Sequence, residues 1–350
     1  MRTVSIVSIQ GTSNVGGVER VVSQQQSILS KKYRVCIVAL PTRGWLGKLR
    51  RKSRVAECLA LALFPLLASF LARLRAGRDG FVISHGYSSV GISCDLVVMH
   101  GCWAAYLERT QARPGLFSYL VLLYEFAAVR FARKVVCVSD SVVPQINRHY
   151  RLKRRDIEVL VNSVDTAIFS PSDSEELVCT GRQIRVLFVG RLEPGKGQAY
   201  LEALHAELAS QSHPISVSVC SPTPIDEKLR ERFHLFRFRI GLSAEELKHE
   251  YNAADLFLLP SQYEAFELSS IEALACGTPV LLNDTGSRST LQRLSCPGVF
   301  RLEDFRSPLA AIRAASEAFQ GLRRKDLAAW TAAHFDQRLS ADRFLALCAL

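Results

Sequence analysis

The sequence predicts an α/β protein made of two doubly wound, Rossmann-like domains facing a cleft. Three observations carry this. Short apolar runs rich in Val, Ile and Leu punctuate the 350 residues, and most are continuous rather than alternating, as in parallel strands covered on both faces. Helix-like stretches separate them, so strand and helix alternate along the chain. The runs also fall into two groups, within 4–161 and 184–301, and a chain of this length suits two domains.

The first group is Val4–Ile9, Arg34–Leu40, Phe81–Ser84, Leu96–Met99, Val135–Val138 and Ile157–Val161. The second is Ile184–Val189, Ile215–Cys220, Phe236–Ile240, Leu256–Leu259, Val280–Leu282 and Gly298–Arg301. Between the groups, Phe169-Ser170-Pro171-Ser172-Asp173-Ser174-Glu175-Glu176 is polar, lacks periodicity and reads as a linker. The expected domains are 1–168 and 169–330, with 331–350 a C-terminal helix packing back on the first. Two such sheets bind ligands beyond the carboxyl ends of their strands.

A composition of 48% hydrophobic and 22% charged residues excludes a disordered tail or a collagen-like fibre. The formal net charge of +11 is unevenly spread: 1–170 carries +14 and 171–350 carries −3. The basic half therefore points to a partner of its own. Ten Cys show no CxxC pair and no zinc-like spacing, and Cys137 in Val135-Val136-Cys137-Val138 reads as a small core residue. Reduced thiols and a cytoplasmic setting are expected, and the N-terminus is too short and polar for a signal peptide. From Cys58 to Ala72 the chain lacks charge, but a spanning helix needs about 20 residues. With Glu57, Pro65 and Ser69 present, a buried helix is expected there.

Three motifs suggest chemistry. Gly16 and Gly17, in Val15-Gly16-Gly17-Val18-Glu19-Arg20, open a helix after the first strand, where backbone N–H groups can approach an anion or simply form a turn. The segment Gly190-Arg191-Leu192-Glu193-Pro194-Gly195-Lys196-Gly197 nearly satisfies the phosphate-loop pattern GxxxxGK[ST], but Gly197 stands where the magnesium-binding hydroxyl belongs. A nucleoside-triphosphatase is therefore not expected. Arg191 and Lys196 remain as a cationic pair on a strand-to-helix turn, suited to a diphosphate that gains charge as a bond breaks.

The third motif runs from Pro260 to Val280 as strand, loop, short helix, Gly cap and strand. Glu264 in the loop and Glu272 in the helix can face one cleft, where carboxylates accept from the hydroxyls of a sugar or ribose. Gly277 suits a left-handed helix end, and Pro279 prevents continuation.

Together these motifs resemble family 4 of the glycosyltransferases, a retaining family with the two-domain GT-B fold, over nearly the whole chain. Supporting segments are Ile83-Ser84-His85-Gly86, Val98-Met99-His100-Gly101, Glu125 through Val138-Ser139-Asp140, Asn162-Ser163-Val164-Asp165 with Phe169, and Gly241-Leu242-Ser243 through Asp255. The resemblance implies that Arg191 and Lys196 bind the donor diphosphate, Glu272 the ribose and Glu264 the transferred sugar. Backbone N–H groups at Gly16, Gly17 and Gly190, and at Phe266, Glu267 and Leu268, would close around the donor. His100 would sit by the sugar and acceptor from the other domain, and His85 reads as structural. No cofactor is required beyond a UDP- or GDP-sugar as donor substrate. No Asp-x-Asp pair occurs, so no metal ligands are expected.

Two positions depart from the family pattern. Family members usually carry Gly where this chain has Glu267, and a later glycine pair with an acidic residue is reduced to Asn283-Asp284-Thr285-Gly286-Ser287. A carboxylate near a diphosphate repels it unless turned away, so both departures bear on donor choice.

The run Lys48, Arg50, Arg51, Lys52 and Arg54 precedes the apolar helix, and Arg148, Arg151, Lys153, Arg154 and Arg155 form a second cluster. Without a nucleic-acid-binding motif or interleaved aromatics, an anionic membrane surface is the expected partner, at about 1 kcal/mol per cation, rather than nucleic acid. The sequence thus predicts a retaining hexosyltransferase, peripheral on the inner face of the cell membrane. It would act on a lipid-linked glycan in surface polysaccharide, such as lipopolysaccharide, biosynthesis. A sugar-nucleotide epimerase on the same fold and a non-catalytic partner subunit are the alternatives.

Overall fold

The computed structural model describes residues 2–12, 16–41, 48, 52–151, 156–172, 183–210 and 214–348. The chain divides into two compact units, Met1–Val161 with Ser340–Leu350, and Asn162–Leu339.

In the first unit, β1 (Thr3–Val7), β2 (Arg34–Val38), β3 (Phe81–His85), β4 (Leu96–Met99), β5 (Lys134–Cys137) and β6 (Ile157–Val159) form one sheet in the order β2-β1-β3-β4-β5-β6. In the second, β7 (Ile184–Val189), β8 (Ile215–Ser221), β9 (Phe236–Ile240), β10 (Leu256–Leu259), β11 (Val280–Leu282) and β12 (Val299–Arg301) are ordered β12-β11-β10-β7-β8-β9. Every pairing is parallel. Strand order reverses between β1 and β3 in one sheet and between β7 and β10 in the other. At such a switch point adjacent connections leave toward opposite faces and open a crevice at the strand ends.

Helices α1 (Gly17–Ser30), α2 (Arg54–Ala76), α3 (Trp103–Thr110), α4 (Leu116–Phe131) and α5 (Val142–His149) cover the first sheet. The second carries α6 (Gln198–Ser210), α7 (Glu227–Arg232), α8 (Ala244–Ala253), α9 (Leu268–Ala275), α10 (Gly286–Arg293), α11 (Pro308–Ala318) and α12 (Arg324–Phe335), and α13 (Gln337–Cys348) follows.

Three expectations need correction. The division falls after Val161 rather than after 168, because the following segment is stitched into the second unit. Val164 donates to the Phe335 carbonyl at 2.8 Å, and Gln337 donates to the Val164 carbonyl at 3.0 Å. Residues 331–350 are also not one helix: Asp336 is extended and accepts from the Arg338 N–H at 2.8 Å, ending α12 and starting α13. The end of α13 is held in the first unit, where Lys134 Nζ donates to the Leu347 carbonyl at 3.1 Å.

The buried helix expected around 58–72 is the larger correction. By length and composition Val55–Ala76 suffices to cross a membrane, yet only one of its faces is buried. That face carries Phe64, Ala68, Ala72 and Ala76 at intervals of four, and its small side chains let α2 lie close on β1. Leu59, Leu63, Leu66, Leu67, Phe70 and Leu74 point away, with Phe70 67% and Leu74 68% exposed. Uniform apolarity concealed which side meets the sheet, since periodicity vanishes when both faces are apolar. Ser53 caps the helix by accepting from the Ala56 N–H at 3.3 Å, and Gly77 ends it at φ +74°.

In the second unit Arg324 is a buried strut. Its guanidinium donates to Thr278 Oγ1 at 2.9 Å and to the Ala254 carbonyl at 2.5 Å, and lies 3.8 Å from Asp255. Asp255 in turn accepts from the Arg185 N–H at 2.8 Å, so α12 is tied to the ends of α8 and β7. Removing the guanidinium orphans buried acceptors, so Arg324→Ala should lose about 2–4 kcal/mol in urea denaturation. A loss within about 0.5 kcal/mol would show that the strut carries no stability.

Candidate active site

The site grows from the switch point between β7 and β10. After β7 the chain turns through a single 3₁₀ turn, Pro194–Lys196, and reaches Gly197 at φ +86°. A Cβ on Gly197 would lie 2.3 Å from the Pro260 carbonyl oxygen, so this glycine exists because the loop after β10 presses directly against it. Gln262 donates to the Gly195 carbonyl at 3.1 Å across the same contact. The hydroxyl that a phosphate loop would need therefore has no room. At Gly190 the demand is milder, since a Cβ there would meet the Phe188 ring at 3.2 Å.

This contact brings Lys196 to Glu264: Nζ donates to Oε1 at 2.5 Å, with both side chains mostly buried. The pair spans the two loops that flank the reversal of strand order. Arg191 is placed differently. Its exposed guanidinium pairs with Glu193 at 3.1 Å, a solvated pair worth about 0–1 kcal/mol that a stronger anion can displace.

The loop bearing Glu264 is pinned on three sides. The Glu264 carbonyl accepts from the Gly286 N–H at 2.8 Å, and the Phe266 carbonyl accepts from Asn162 Nδ2 at 3.0 Å. The Phe266 ring lies 6.0 Å from that of Phe335. It then enters α9 at Glu267, whose side chain does not cap the helix. The first N–H groups of α9, beginning at Leu268, are thus left for a ligand.

Glu272 is buried on α9 and accepts from the Tyr251 hydroxyl of α8 at 3.0 Å. The two glutamates expected as a pair thus have separate anchors, one on a cation and one on a phenol. Glu267 is buried as well. Its Oε1 accepts from Ser287 Oγ and, at 3.3 Å, from Thr285 Oγ1, whereas Oε2 has no partner. Burial first, and the charge of Glu264 second, push the Glu267 carboxyl up to about 7. The two departures noted in the sequence are therefore a single cluster.

In the first unit, His100 follows β4 and His85 ends β3. Their rings stack at 5.1 Å between centroids, and His85 Nδ1 and His100 Nε2 share a hydrogen bond of 2.8 Å. Burial lowers both imidazoles, His100 to about 4, so the pair is neutral at pH 7. The backbone after His100 is fixed by Glu125, which accepts from the Trp103 N–H at 2.7 Å and from the Tyr150 hydroxyl. Burial pushes the Glu125 carboxyl up to about 7.

Gly16 caps α1, and Gly17 is its first residue. The Glu19 carboxylate lies directly over Gly16, 2.2 Å from where a Cβ would be, so an anion arriving there would meet a carboxylate. Of the basic run, Lys48 and Lys52 are exposed. Arg50 and Arg51 lie outside the described residues, as does the side chain of Arg54. So do Lys153, Arg154 and Arg155, while Arg148 pairs with Glu108 at 2.9 Å.

Sequence reading missed the anchors Tyr251, Asn162, Thr285 and Ser287 as parts of the site. Tyr251 and Asn162 sit in segments that carry the family resemblance, and that was their available signal.

Residues 183–303 match the family described as Glycosyl transferases group 1, and residues 15–168 match Glycosyltransferase Family 4. The chain belongs to the group 1, family 4 glycosyltransferases. A D-inositol 3-phosphate glycosyltransferase of Segniliparus rotundus is 28% identical over 243 residues, covering 64% of this chain and 54% of that protein. The chain spans about half the length of the curated relatives it matches. Sucrose-phosphate synthase from Thermosynechococcus elongatus superposes with a TM-score of 0.78 at 20% identity, over 99% of this chain and 98% of that one. Anabaena HepE, solved with UDP and glucose, gives 0.65 at 15% identity over the full length of both chains. These likenesses establish the GT-B fold for this family 4 chain.

Gly197→Ser, which would complete the phosphate-loop pattern, should destabilise this glycosyltransferase chain by at least about 1–3 kcal/mol in urea denaturation, from left-handed strain plus the Pro260 clash. Unchanged stability would mean that the two loops are not pressed together.

Proposed function

We propose that this chain is a retaining glycosyltransferase that moves a sugar from a nucleotide-diphosphate donor to an acceptor hydroxyl. The observation that carries the reading is the Lys196–Glu264 pair at the switch point, next to the N-terminus of α9, which carries Glu272 about one turn further on. A diphosphate entering there draws on Lys196, on Arg191 released from Glu193, and on the first N–H groups of α9. Side chains rather than a metal ion then offset its charge, at about 1.5–3 kcal/mol per charge-assisted bond. Glu272 takes the ribose hydroxyls and Glu264 a hydroxyl of the transferred sugar. The acceptor oxygen bonds to the anomeric carbon as the bond to phosphate breaks, on the same face, and the departing phosphate takes the acceptor proton. Family membership supports this retaining course, and His100, held by His85, serves the acceptor side.

The acceptor in this reading is a lipid-linked glycan at the inner face of the membrane, as in surface polysaccharide assembly. Support comes from the outward face of α2. The Tyr124 hydroxyl donates to the Ala62 carbonyl and joins α4 to α2, and α4 adds exposed Leu116, Tyr119 and Leu123. Exposed Lys48 and Lys52, in the run with Arg50, Arg51 and Arg54, stand before this face. Apolar insertion edged by cations suits an anionic bilayer. A second copy of the chain would instead bring two +14 halves together.

Screening thermal stability against UDP-, GDP- and ADP-sugars should single out one donor. With it, Lys196→Ala and Glu272→Ala should each lower kcat/KM by about 10²–10³. Transfer that survives intact in both variants overturns the assignment, and an altered sugar nucleotide formed from donor alone would indicate an epimerase. Sedimentation should find the chain on phosphatidylglycerol vesicles, and Leu63→Glu with Phe70→Glu should release it at least about tenfold. Equal binding by that double variant would remove the membrane from the reading.

A further inference from the structure

Among the described residues, the buried cluster around Glu267 has no part in the reading above, although it adjoins the expected diphosphate. Its makeup is unusual for an anion site. Glu267 stands at the entrance to α9, 8% exposed, with one carboxyl oxygen held by Thr285 and Ser287 and the other without a partner. Glu264 is close enough to raise its proton affinity, and Lys196, the cation of the site, is already engaged by Glu264. A fully ionised diphosphate drawn to Lys196 and to the N-terminus of α9 would therefore meet a second carboxylate with an unsatisfied oxygen. Two like charges in a buried site cannot both be tolerated cheaply, and the usual relief is a proton.

Resting on the proposed donor site, we propose that Glu267 binds the nucleotide sugar as a neutral carboxyl group, taking up one proton from solvent as the diphosphate enters. The hydroxyls of Thr285 and Ser287 fix Oε1 as the acceptor, which leaves the buried, unpartnered Oε2 to carry the proton. This gives a role to two departures from the family pattern at once: the carboxyl stands where a glycine is usual, and Thr285 and Ser287, which hold it, lie in the segment where the later glycine pair is reduced. Burial already holds the carboxyl near 7 without ligand, so the protonated form is within easy reach.

The other charged groups around Glu267 are already committed. Arg288, on α10 beside Ser287, is paired with Asp284 at 2.8 Å and Glu303 at 2.5 Å. Glu272 on α9 is held by Tyr251, and His334 on α12, the helix that meets Phe266, is exposed and hydrogen-bonded to the Trp330 carbonyl.

The sign follows directly. Above about pH 7 free Glu267 is ionised and must be protonated for binding, so affinity falls with rising pH. Below that it is already neutral, and affinity is level. Calorimetric titration with UDP-glucose, GDP-mannose or ADP-glucose, whichever binds, reads this between about pH 6 and pH 9. The diphosphate of such donors stays fully ionised over the range, so it contributes no slope. Kd should rise by up to about tenfold per pH unit above pH 7, and buffers of differing ionisation heat should report uptake of one proton. Glu267→Gln, which keeps the shape and cannot ionise, should bind with a flat pH profile. Glu267→Gly, which restores the usual residue, should do the same and serves if the first variant folds poorly. A flat profile in the parent chain, or an unchanged slope in both variants, overturns the proposal and leaves the donor site standing. Failure of all three donors to bind any form of the protein removes the donor site, and the proposal with it.

Discussion

The contact between the turn after β7 and the loop after β10 is the constraint on which the rest of the candidate site depends. Connections that leave neighbouring parallel strands toward opposite faces must separate, yet here the two are pulled back together. Gly197 makes room for the Pro260 carbonyl, and Gln262 bonds to the Gly195 carbonyl. Because of that closure Lys196 and Glu264, 68 residues apart, become neighbours. A looser junction would leave a lysine and a glutamate on separate exposed loops, where an ion pair contributes little. The interaction is thus steric first and electrostatic second.

Around this junction the second unit spends several buried polar groups. Arg324 ties α12 to the ends of α8 and β7, Asn162 holds the Phe266 carbonyl, and Tyr251 holds Glu272. Each is costly to bury and tolerable only when paired. Together they fix the entrance of α9, the element from which ligand-facing N–H groups project. The first unit uses the same device on a smaller scale, where Glu125 fixes the backbone after His100 and the His85 ring fixes its imidazole.

The strands were legible because parallel strands buried on both faces leave short, continuous Val, Ile and Leu runs bounded by turn residues. Their ends were less so. Ile9 and Leu40 lie beyond β1 and β2, yet Leu40 still donates to the Ile9 carbonyl, so apolar character persists past the ladder. Lys196 and Glu264 were legible as residues of the right chemistry on the right turns, but their pairing was not, since it depends on strand order. Thr285 and Ser287 could be marked as departures, but nothing local says that a serine 20 residues away will hold Glu267. The side of α2 that meets the sheet was hidden for a different reason. Leucine and alanine count alike as apolar, and beyond Phe64 only size separates the packed row from the outward one.

That separation by size has a consequence for how the protein can change. On α2 the row that holds the helix down is alanine beyond Phe64, and the row it shows outward is leucine and phenylalanine, with almost no position serving both ends. Foldability and surface character are therefore written in different letters of one segment. The outward row can drift toward polar or apolar residues with little penalty to the sheet beneath, while the alanine row admits almost nothing larger. Substitutions there could change what the helix presents to its surroundings without first posing a folding problem.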